Sequence, residues 1–366
     1  MTQQIQKTHD DYTVGILCAL DFEADAVRYM MDAEHVSLRM QPGDSNMYTL
    51  GELRGHNAVL ACMPYQQGKG SAATVATDMS RSFPSIKWRL FVGIGGGVPS
   101  DDNDIRLGDV VISTPEDTFG GVIQYDLGRR TVSGFELKGF LTPPPPLLRQ
   151  AARQMKSDHR GRSSMIEQSV NALVNKEGDF SDFAKPSEPD TLFEEDYEHL
   201  PSAATCARCD RSRTIQRAVR RSTVPMIHYG LIASGDQVIK TAKLRDEINA
   251  TYGREVLCFE MEAAGLMTNF SAIVIRGISD YADSHKNKKW QGYAAATAAA
   301  CAKELLSYID PEDAATMPGP EALSSPPPAQ PSELAPGSNY FYGQGIQSTG
   351  SGNVNIGGGF NTGGRR

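Results

Sequence analysis

Three carboxylates stand where apolar runs end in the C-terminal half of this 366-residue chain. Glu260 and Glu262 follow the apolar run that reaches Phe259, and Asp280 closes the run 272–278. Acids at the ends of buried strands are costly unless they are paired or used in chemistry. In open α/β sheets, such strand ends are also where ligands bind. The trio suits cleavage of a glycosidic bond, in which one acid protonates the leaving group and another activates water.

The elements that must position these acids follow an alternating pattern. Short apolar runs predict buried strands at 12–20, 47–53, 57–63, 90–98, 109–113, 224–232, 256–259 and 272–278. The strand within 90–98 is expected to run into a glycine turn formed by 95–97. Helical spacing or helix-forming composition predicts helices at 21–31, 71–83, 240–252, 261–270 and 290–309. This alternation predicts an α/β fold with a mixed, mostly parallel sheet covered by helices on both faces.

Composition divides the chain into three parts. Residues 11–309 carry the alternating pattern and predict one catalytic domain, in which 134–223 breaks the rhythm and is interpreted as an insertion. Residues 310–338 are rich in Pro, Ala and Ser, which predicts a disordered linker. Residues 339–366 are rich in Gly, Asn, Ser and Thr, with isolated aromatic and β-branched residues.

Charge and hydropathy exclude several classes of function. A net charge of −8 argues against nonspecific binding to a nucleic acid polymer or to an anionic membrane. No apolar run has the length of a membrane span, and the polar N-terminus does not resemble a signal peptide. The six cysteines include three inside apolar segments, which is typical of buried free thiols. We therefore expect a cytoplasmic protein.

Six motifs occur in the order found in one enzyme superfamily. They are 15–23 (GILCALDFE), 93–97 (GIGGG), 107–111 (LGDVV), 230–236 (GLIASGD), 260–263 (EMEA) and 276–283 (RGISDYAD). With these motifs the chain resembles the nucleoside phosphorylase superfamily over about residues 12–309. The resemblance is greatest to the 5′-methylthioadenosine/S-adenosylhomocysteine nucleosidase branch and its fungal relatives. It implies a nucleoside phosphorylase-like fold and a purine nucleosidase that needs no cofactor for catalysis.

The resemblance also implies roles for individual side chains. Asp280 would protonate the purine ring nitrogen so that the base leaves neutral, Glu23 would orient or deprotonate water, and Glu262 would bind ribose hydroxyls. The remaining substrate contacts implied by the resemblance are Met261, Ser279, Gly95, Gly96 and Val238. An alternative for each acid is a structural role at the start of a helix. Residues 285–289 are expected to form a solvated loop that borders the pocket.

Departures from the phosphorylase branch favour water as the acceptor. That branch holds phosphate with two arginines and a serine, at places taken here by Phe91, Ile94 and the acidic segment 21–23. A phosphate dianion would therefore meet carboxylates and hydrocarbon. The leading interpretation is an N-ribosyl hydrolase of adenine nucleosides or nucleotides. A purine nucleoside phosphorylase and a catalytically inert nucleotide-sensing module are the alternatives.

Basic residues bear on the 5′ group of the substrate. Arg129 and Arg130 follow a predicted strand end, and Arg213, Arg217 and Arg220 recur at helical spacing in the insertion. Arginine forks match phosphate oxygens, so these side chains are candidates for binding a nucleotide. Some relatives in this superfamily that are joined to immune-type signalling modules act on adenine nucleotides such as ATP. The alternative is that these arginines lie on solvated surfaces.

A second kind of site is indicated by His199, Cys206 and Cys209. A Cys-x-x-Cys pair with an upstream histidine in a cytosolic chain is typical of a structural zinc site. The candidates for a fourth ligand are Asp210, Asp196 and His228. The alternative is a pair of thiols that bind no metal.

The C-terminal segment 339–366 contains a weak internal repeat, in which 342–350 echoes 356–363. Uncharged Asn, Gln, Ser and Thr side chains form ladders in stacked strands, and isolated apolar side chains fill a dry interior. The pattern resembles the amyloid signalling motifs of fungal NLR-linked effectors. That resemblance implies a C-terminal motif that is templated by an NLR receptor. It also implies a homo-oligomer that acts in cell death or defence. A flexible tail without function is the alternative.

Overall fold

The computed structural model describes residues 7–64, 68–132, 134–200, 203, 205–253, 255–286, 288–316, 345–348 and 354–357. Two compact units divide the chain, residues 1–323 and residues 324–366. The first unit contains the alternating strands and helices, and the described residues of the second, 345–348 and 354–357, form two short strands.

The first unit is built around a large sheet and a separate hairpin. Its strands are β1 (Val14–Cys18), β2 (Ala33–Glu34), β3 (Tyr48–Leu53), β4 (His56–Cys62), β5 (Trp88–Gly97), β6 (Val110–Ser113), β7 (Val122–Gln124), β8 (Gly128–Thr131), β9 (Gly134–Leu137), β10 (Ile227–Ser234), β11 (Val256–Glu260) and β12 (Ile273–Asp280). Its helices are α1 (Asp21–Tyr29), α2 (Lys69–Ser82), α3 (Pro146–Asp158), α4 (Ile166–Val174), α5 (Ala242–Thr251), α6 (Ala263–Met267), α7 (Gln291–Leu306) and α8 (Pro311–Thr316).

The large sheet is mixed, as predicted, and runs in the order β11-β10-β6-β12-β5-β1-β4-β3-β2. Strand β7 pairs with β10, and β8 and β9 form the separate hairpin. Strand β12 is parallel to β5 and antiparallel to β6. Strand β11 also pairs with β5, so that the five strands from β11 to β5 close on themselves. This closure brings the ends of β5, β11 and β12 together, and those ends carry the candidate acids.

Helix α7 covers the middle of the sheet. Its alanine-rich sequence presents small side chains on most sides, and 13 of its 16 residues are buried. A helix that is apolar nearly all round is expected in a core. Helices α3 and α4 pack against it and contribute Leu148, Met155 and Leu173 to the main apolar cluster. The N-terminal helices of the segment 134–223 therefore belong to the packed core.

Two local predictions differ from the structure. The glycine run 95–97 was expected to form a turn, but it lies inside β5, where Gly96 pairs with Phe259 of β11. A Cβ atom at Gly96 would lie 2.8 Å from the Asp280 Oδ1, so the missing side chain permits this close approach. The arginines between 213 and 220 were expected at helical spacing, but residues 215–220 are not helical. Ile215 and Val219 would lie on one face of such a helix, but both are exposed, so the fold offers no surface that would bury that face.

The C-terminal segments are described only in part. Helix α8 lies within 310–338, and it begins with Pro311 followed by two acids, a favourable helix start. In the second unit, β13 (Gly345–Ser348) pairs antiparallel with β14 (Val354–Gly357). The rest of the predicted linker and of the predicted amyloid-like motif lies outside the described residues. Among the residues that the structure does describe, no helix combines the length and the apolar character needed to cross a membrane.

Candidate active site

A cavity of about 190 Å³ opens where β5, β11 and β12 end. It is lined by most of the residues singled out from the sequence, namely Glu23, Gly95, Gly96, Val238, Met261, Glu262, Ser279 and Asp280. Its remaining lining consists of Ala19, Leu20, Ile94, Gln237, Ile239, Phe259, Glu260, Ala282, Lys286 and Gln291. Apolar walls with a few converging polar groups are typical of small-molecule sites.

The Arg276 side chain is the charged centre behind this cavity, although the sequence analysis gave it no role. Its guanidinium is fully buried, lies 4.2 Å over the Phe91 ring and donates to the Glu260 carboxylate at 2.6 Å. The Glu262 carboxylate lies 3.8 Å from the same guanidinium nitrogen. A charged residue in the middle of the apolar strand β12 was the available signal, because an unpaired buried charge is prohibitively costly.

The Glu260 carboxylate holds two parts of the site in place. Besides accepting from Arg276, its carboxylate accepts from the backbone N–H groups of Glu262 and Ala263. These N–H groups lie at the start of α6, where the backbone donors have no partner within the helix. Glu260 therefore fixes both the buried guanidinium and the turn that carries Glu262.

The Glu23 carboxylate fills a ready-made anion site. It accepts from the backbone N–H groups of Ala19 and Leu20 at 2.9 Å each, where α1 begins, and from that of Ile94 in β5 at 2.7 Å. Helix N-termini bind anions through such N–H groups. Burial raises the pKa of Glu23, while Arg276 and the three backbone donors oppose that rise.

The Glu262 carboxyl has a raised pKa and differs from those of Glu260 and Glu23 in its contacts. Burial, with the adjacent Glu260 charge, raises its pKa to about 8, and Arg276 opposes the shift. The pKa rises because several carboxylates around one guanidinium are costly to keep ionised together in a site shielded from water. The protonated form of Glu262 is therefore favoured in this site. Its side chain is available to the cavity, since the strongest Arg276 contact goes to Glu260.

Asp280 sits at the end of β12 with three hydrogen-bonding partners. The Ser279 hydroxyl donates to its Oδ2 at 2.9 Å, and the Ala282 backbone N–H donates to its Oδ1 at 3.0 Å. The Lys286 ammonium lies 3.1 Å from Oδ2. Ser279 and Ala282 thus fix the carboxyl rotamer. Lys286 belongs to the loop 285–289 that was expected to border the pocket.

Arg129 and Arg130 do not line this cavity, so the geometry does not support the contacts predicted for them. Both are exposed on the β8–β9 hairpin, and Arg129 pairs with Glu136 of the facing strand at 2.6 Å. The prediction failed because the segment that follows β7 turns into a hairpin. Asp126, just before it, pairs with Lys69.

The arginines of the insertion are paired with acids of the same chain. Arg220 donates twice to the buried Asp109 carboxylate, at 2.7 and 2.8 Å, and His228 lies 2.9 Å from it. Although burial raises the pKa of Asp109, these two partners hold it below its ordinary value. Arg217 donates to Asp190 at 2.7 Å and to the Tyr281 hydroxyl at 2.9 Å.

Arg213, the third of these arginines, pairs with Glu194 and Asp196. The structure thus gives each of the three arginines an acidic partner within the chain. Their predicted role in holding substrate phosphates has no support in this geometry.

The candidate metal ligands do come together. His199, Cys206 and Cys209 each offer one ligand atom, and these atoms lie within 4.8 Å of one another. The fourth ligands suggested by the sequence have other partners: Asp196 pairs with Arg213, Asp210 accepts from Ser212, and His228 contacts Asp109. All six cysteines of the chain are free thiols.

Comparison with known proteins gives one family. Residues 13–309 match the family described as the phosphorylase superfamily. A nucleotide-binding leucine-rich repeat (NLR)-like protein of Hyaloscypha variabilis is 45% identical over 304 residues, which cover 83% of this chain and 30% of that protein. This chain thus spans about 30% of the length of that relative.

Two more distant comparisons point in the same direction. A 5′-methylthioadenosine/S-adenosylhomocysteine nucleosidase of Mycobacterium bovis is 24% identical over 302 residues, covering 81% of this chain and 96% of that enzyme. The solved structure of a nucleosidase of the same name from Colwellia psychrerythraea, in complex with adenine, has a TM-score of 0.54. It is 17% identical, covering 83% of this chain and 98% of that one, and it shows that the two share a fold.

Proposed function

The chain belongs to the phosphorylase superfamily, and from this premise we propose that it hydrolyses the N-glycosidic bond of adenine nucleosides or nucleotides. The adenine moiety is proposed because the similar Colwellia structure is a complex with adenine and the Mycobacterium relative is a methylthioadenosine nucleosidase. Phe259, Ile239 and Val238 supply an apolar wall suited to a purine ring.

The choice of water over phosphate rests on Glu23. The backbone donors that would receive an anion, at the start of α1 and at Ile94, already bind the Glu23 carboxylate. A phosphate beside an ionised Glu23 carboxylate would also be repelled, by about 4 kcal/mol per pair of unit charges at 4 Å near a protein surface. A neutral water molecule meets no such cost and can donate to Glu23, which would orient it or take its proton.

Asp280 is proposed as the acid that protonates the leaving base. Ser279 and Ala282 hold its carboxyl at the cavity wall, as a general acid requires. The Lys286 ammonium contacts the same carboxyl at 3.1 Å. A purine ring that hydrogen-bonds to Asp280 would therefore compete with Lys286, whose side chain is about one-third exposed at the mouth of the site.

Glu262 is proposed to bind the ribose hydroxyls, with Met261 packed against the sugar. Hydrogen bonds to these hydroxyls strengthen as the sugar becomes oxocarbenium-like, which lowers the barrier. The role is tested by Glu262→Gln with paired ribose and 2′-deoxyribose substrates. The variant should lose less kcat/KM on the deoxy substrate, whose partner hydroxyl is already missing. An equal loss on both substrates would remove the sugar contact.

The function itself is tested with the full chain and a panel of adenine compounds. The panel contains adenosine, methylthioadenosine, S-adenosylhomocysteine, AMP and ATP, and free adenine is measured by chromatography. Release of adenine from at least one compound supports the proposal and identifies the 5′ group. Binding of a nucleotide without any base release would instead support an inert sensing module.

A role as a cell-death or defence effector is also proposed, on the strength of the NLR-like relative. The C-terminal segment 339–364 carries no charge, so it lacks the repulsion that opposes in-register stacking of copies. Templating of this segment by an NLR receptor would gather the enzyme domains, and a homo-oligomer would then form through their raised local concentration.

The assembly step is tested with purified chain and fibril seeds made from a synthetic 339–366 peptide. Seeded wild-type chain should form cross-β fibrils, and Ile356→Lys should not, because a charge inside a dry stacked interface is expensive. The variant should keep the thermal stability of the catalytic domain. Wild-type chain that stays monomeric with seeds would eliminate the assembly proposal and leave the enzymatic one intact.

A further inference from the structure

The cluster of His199, Cys206 and Cys209 lies against the segment that follows Asp280. The backbone N–H of His199 donates to the Ser284 hydroxyl at 2.9 Å, and the Cys206 thiol contacts the His285 carbonyl oxygen at 3.6 Å. The His199 ring also packs edge-on against the His285 ring, with 5.5 Å between centroids. The cluster therefore sits at the junction between the insertion and the loop 281–289.

The donor set is one that zinc prefers. Two thiolates and an imidazole are characteristic zinc ligands, and the Cys-x-x-Cys spacing recurs in zinc sites. Thiolate sulfurs on one tetrahedral zinc are separated by about 3.8 Å, given Zn–S bonds of about 2.3 Å. The three ligand atoms lie within 4.8 Å of one another, so small side-chain rotations complete the geometry. Water fills the fourth position in zinc sites with three protein ligands.

We propose that His199, Cys206 and Cys209 bind a structural zinc ion that orders the part of the insertion packed against the segment following Asp280. The ion would tie His199 to the turn at Cys206 and Cys209. His199 and Cys206 in turn contact the loop 281–286 through Ser284 and His285. Aromatic packing supports the same junction, because Phe193 and Tyr197 of the insertion stack on His285 at 4.0 and 5.3 Å. A cavity of about 330 Å³ beside the junction is lined by both Cys206 and Asp280.

Metal content tests the proposal without reference to activity. The full chain, produced with zinc in the medium and then desalted, should carry about one zinc per chain by elemental mass spectrometry. The double variant Cys206→Ser/Cys209→Ser should carry almost none. Cys62→Ser is the matched control, since Cys62 is a half-buried cysteine outside the cluster, and it should keep its zinc.

Three results would overturn the site. They are wild-type chain without zinc, a double variant that keeps its zinc, and a disulfide between Cys206 and Cys209 in chain isolated without oxidant. If the double variant fails to fold, replacement of zinc by cobalt(II) in the wild-type chain tests whether the two cysteines bind the metal. Tetrahedral cobalt bound by thiolates should show a sulfur-to-cobalt charge-transfer band, and its absence would exclude the two cysteines as ligands.

Hydrogen exchange tests whether the ion stabilises the contact between the insertion and the loop 281–286. Removal of zinc with a chelator should increase amide exchange in peptides covering 281–286, because His199 and Cys206, which contact this loop, become less ordered. Peptides from the β8–β9 hairpin should exchange at an unchanged rate. Equal exchange of the 281–286 peptides with and without zinc would show that the ion does not hold this loop.

Discussion

The cavity at the strand ends and the surroundings of Arg213 in the insertion both concentrate charged side chains, but one is buried and the other is exposed. Around the cavity, Glu23, Glu262 and Arg276 are all buried. In the insertion, Glu194 and Asp196 pair with Arg213 while their side chains stay 43% and 80% exposed. Water screens such exposed pairs, so they are worth about 0–1 kcal/mol each. Buried charges must be fully paired or take part in binding or chemistry. The buried side chains of the cavity therefore say more about function than the exposed pairs do.

The largest expected effect is on Asp280, the proposed acid. Asp280→Asn should lower the rate of adenine release by about 10²- to 10⁴-fold, the usual cost of losing a positioned acid. Chromatography of released adenine measures it, and circular dichroism checks the fold. Asp101→Asn, an exposed aspartate outside the cavity, is the matched control and should be unchanged. A variant within about threefold of wild type would exclude Asp280 as the acid.

The next effect distinguishes pairing from substrate binding in the insertion. Arg220→Met should destabilise the chain by about 3 kcal/mol, because it removes the guanidinium partner of the buried Asp109 carboxylate. Arg213→Met, which breaks an exposed pair, should cost about 0–1 kcal/mol. Urea unfolding measures both. If Arg220→Met instead keeps its stability and loses nucleotide affinity, this arginine holds phosphates.

A smaller effect follows from the raised pKa of Glu262. The folded chain keeps the Glu262 proton up to about pH 8, whereas a glutamate has an ordinary pKa of 4.5. Between these values the unfolded state binds fewer protons than the folded state, so this group makes stability fall as pH rises. Glu262→Gln cannot titrate and should lack this fall. The Tm of the variant minus that of wild type should increase from pH 5 to pH 8.5; a constant difference would contradict the buried proton.

The smallest effect is expected on the β8–β9 hairpin. Arg129→Ala/Arg130→Ala should change kcat and KM by less than about twofold, since Arg129 makes an exposed pair and neither residue lines the cavity. Steady-state kinetics on the best adenine substrate measure it. A tenfold rise in KM confined to substrates with 5′ phosphates would restore the contact that the sequence predicted.

The sequence alone predicted the acids at the strand ends better than the arginines of the insertion. Asp280 and Glu262 follow buried strands, and the ends of such strands meet at one edge of the sheet, so their proximity was predictable. The helical spacing of Arg213 and Arg217 gave no such constraint, because spacing predicts a helix only with an apolar face to bury. Arg276 was visible as a charge within a strand, but its partner Glu260 depends on strand pairing that the sequence does not display.

The acceptor of the ribosyl group tests the central claim most directly. The full chain is incubated with its best adenine substrate in phosphate buffer and in phosphate-free buffer, and phosphorus NMR follows the products. The account predicts equal rates of adenine release in the two buffers and no ribose 1-phosphate or 5′-substituted ribose 1-phosphate. Release that requires phosphate, with a ribose 1-phosphate signal growing in step with adenine, would show that Glu23 does not close this site to phosphate.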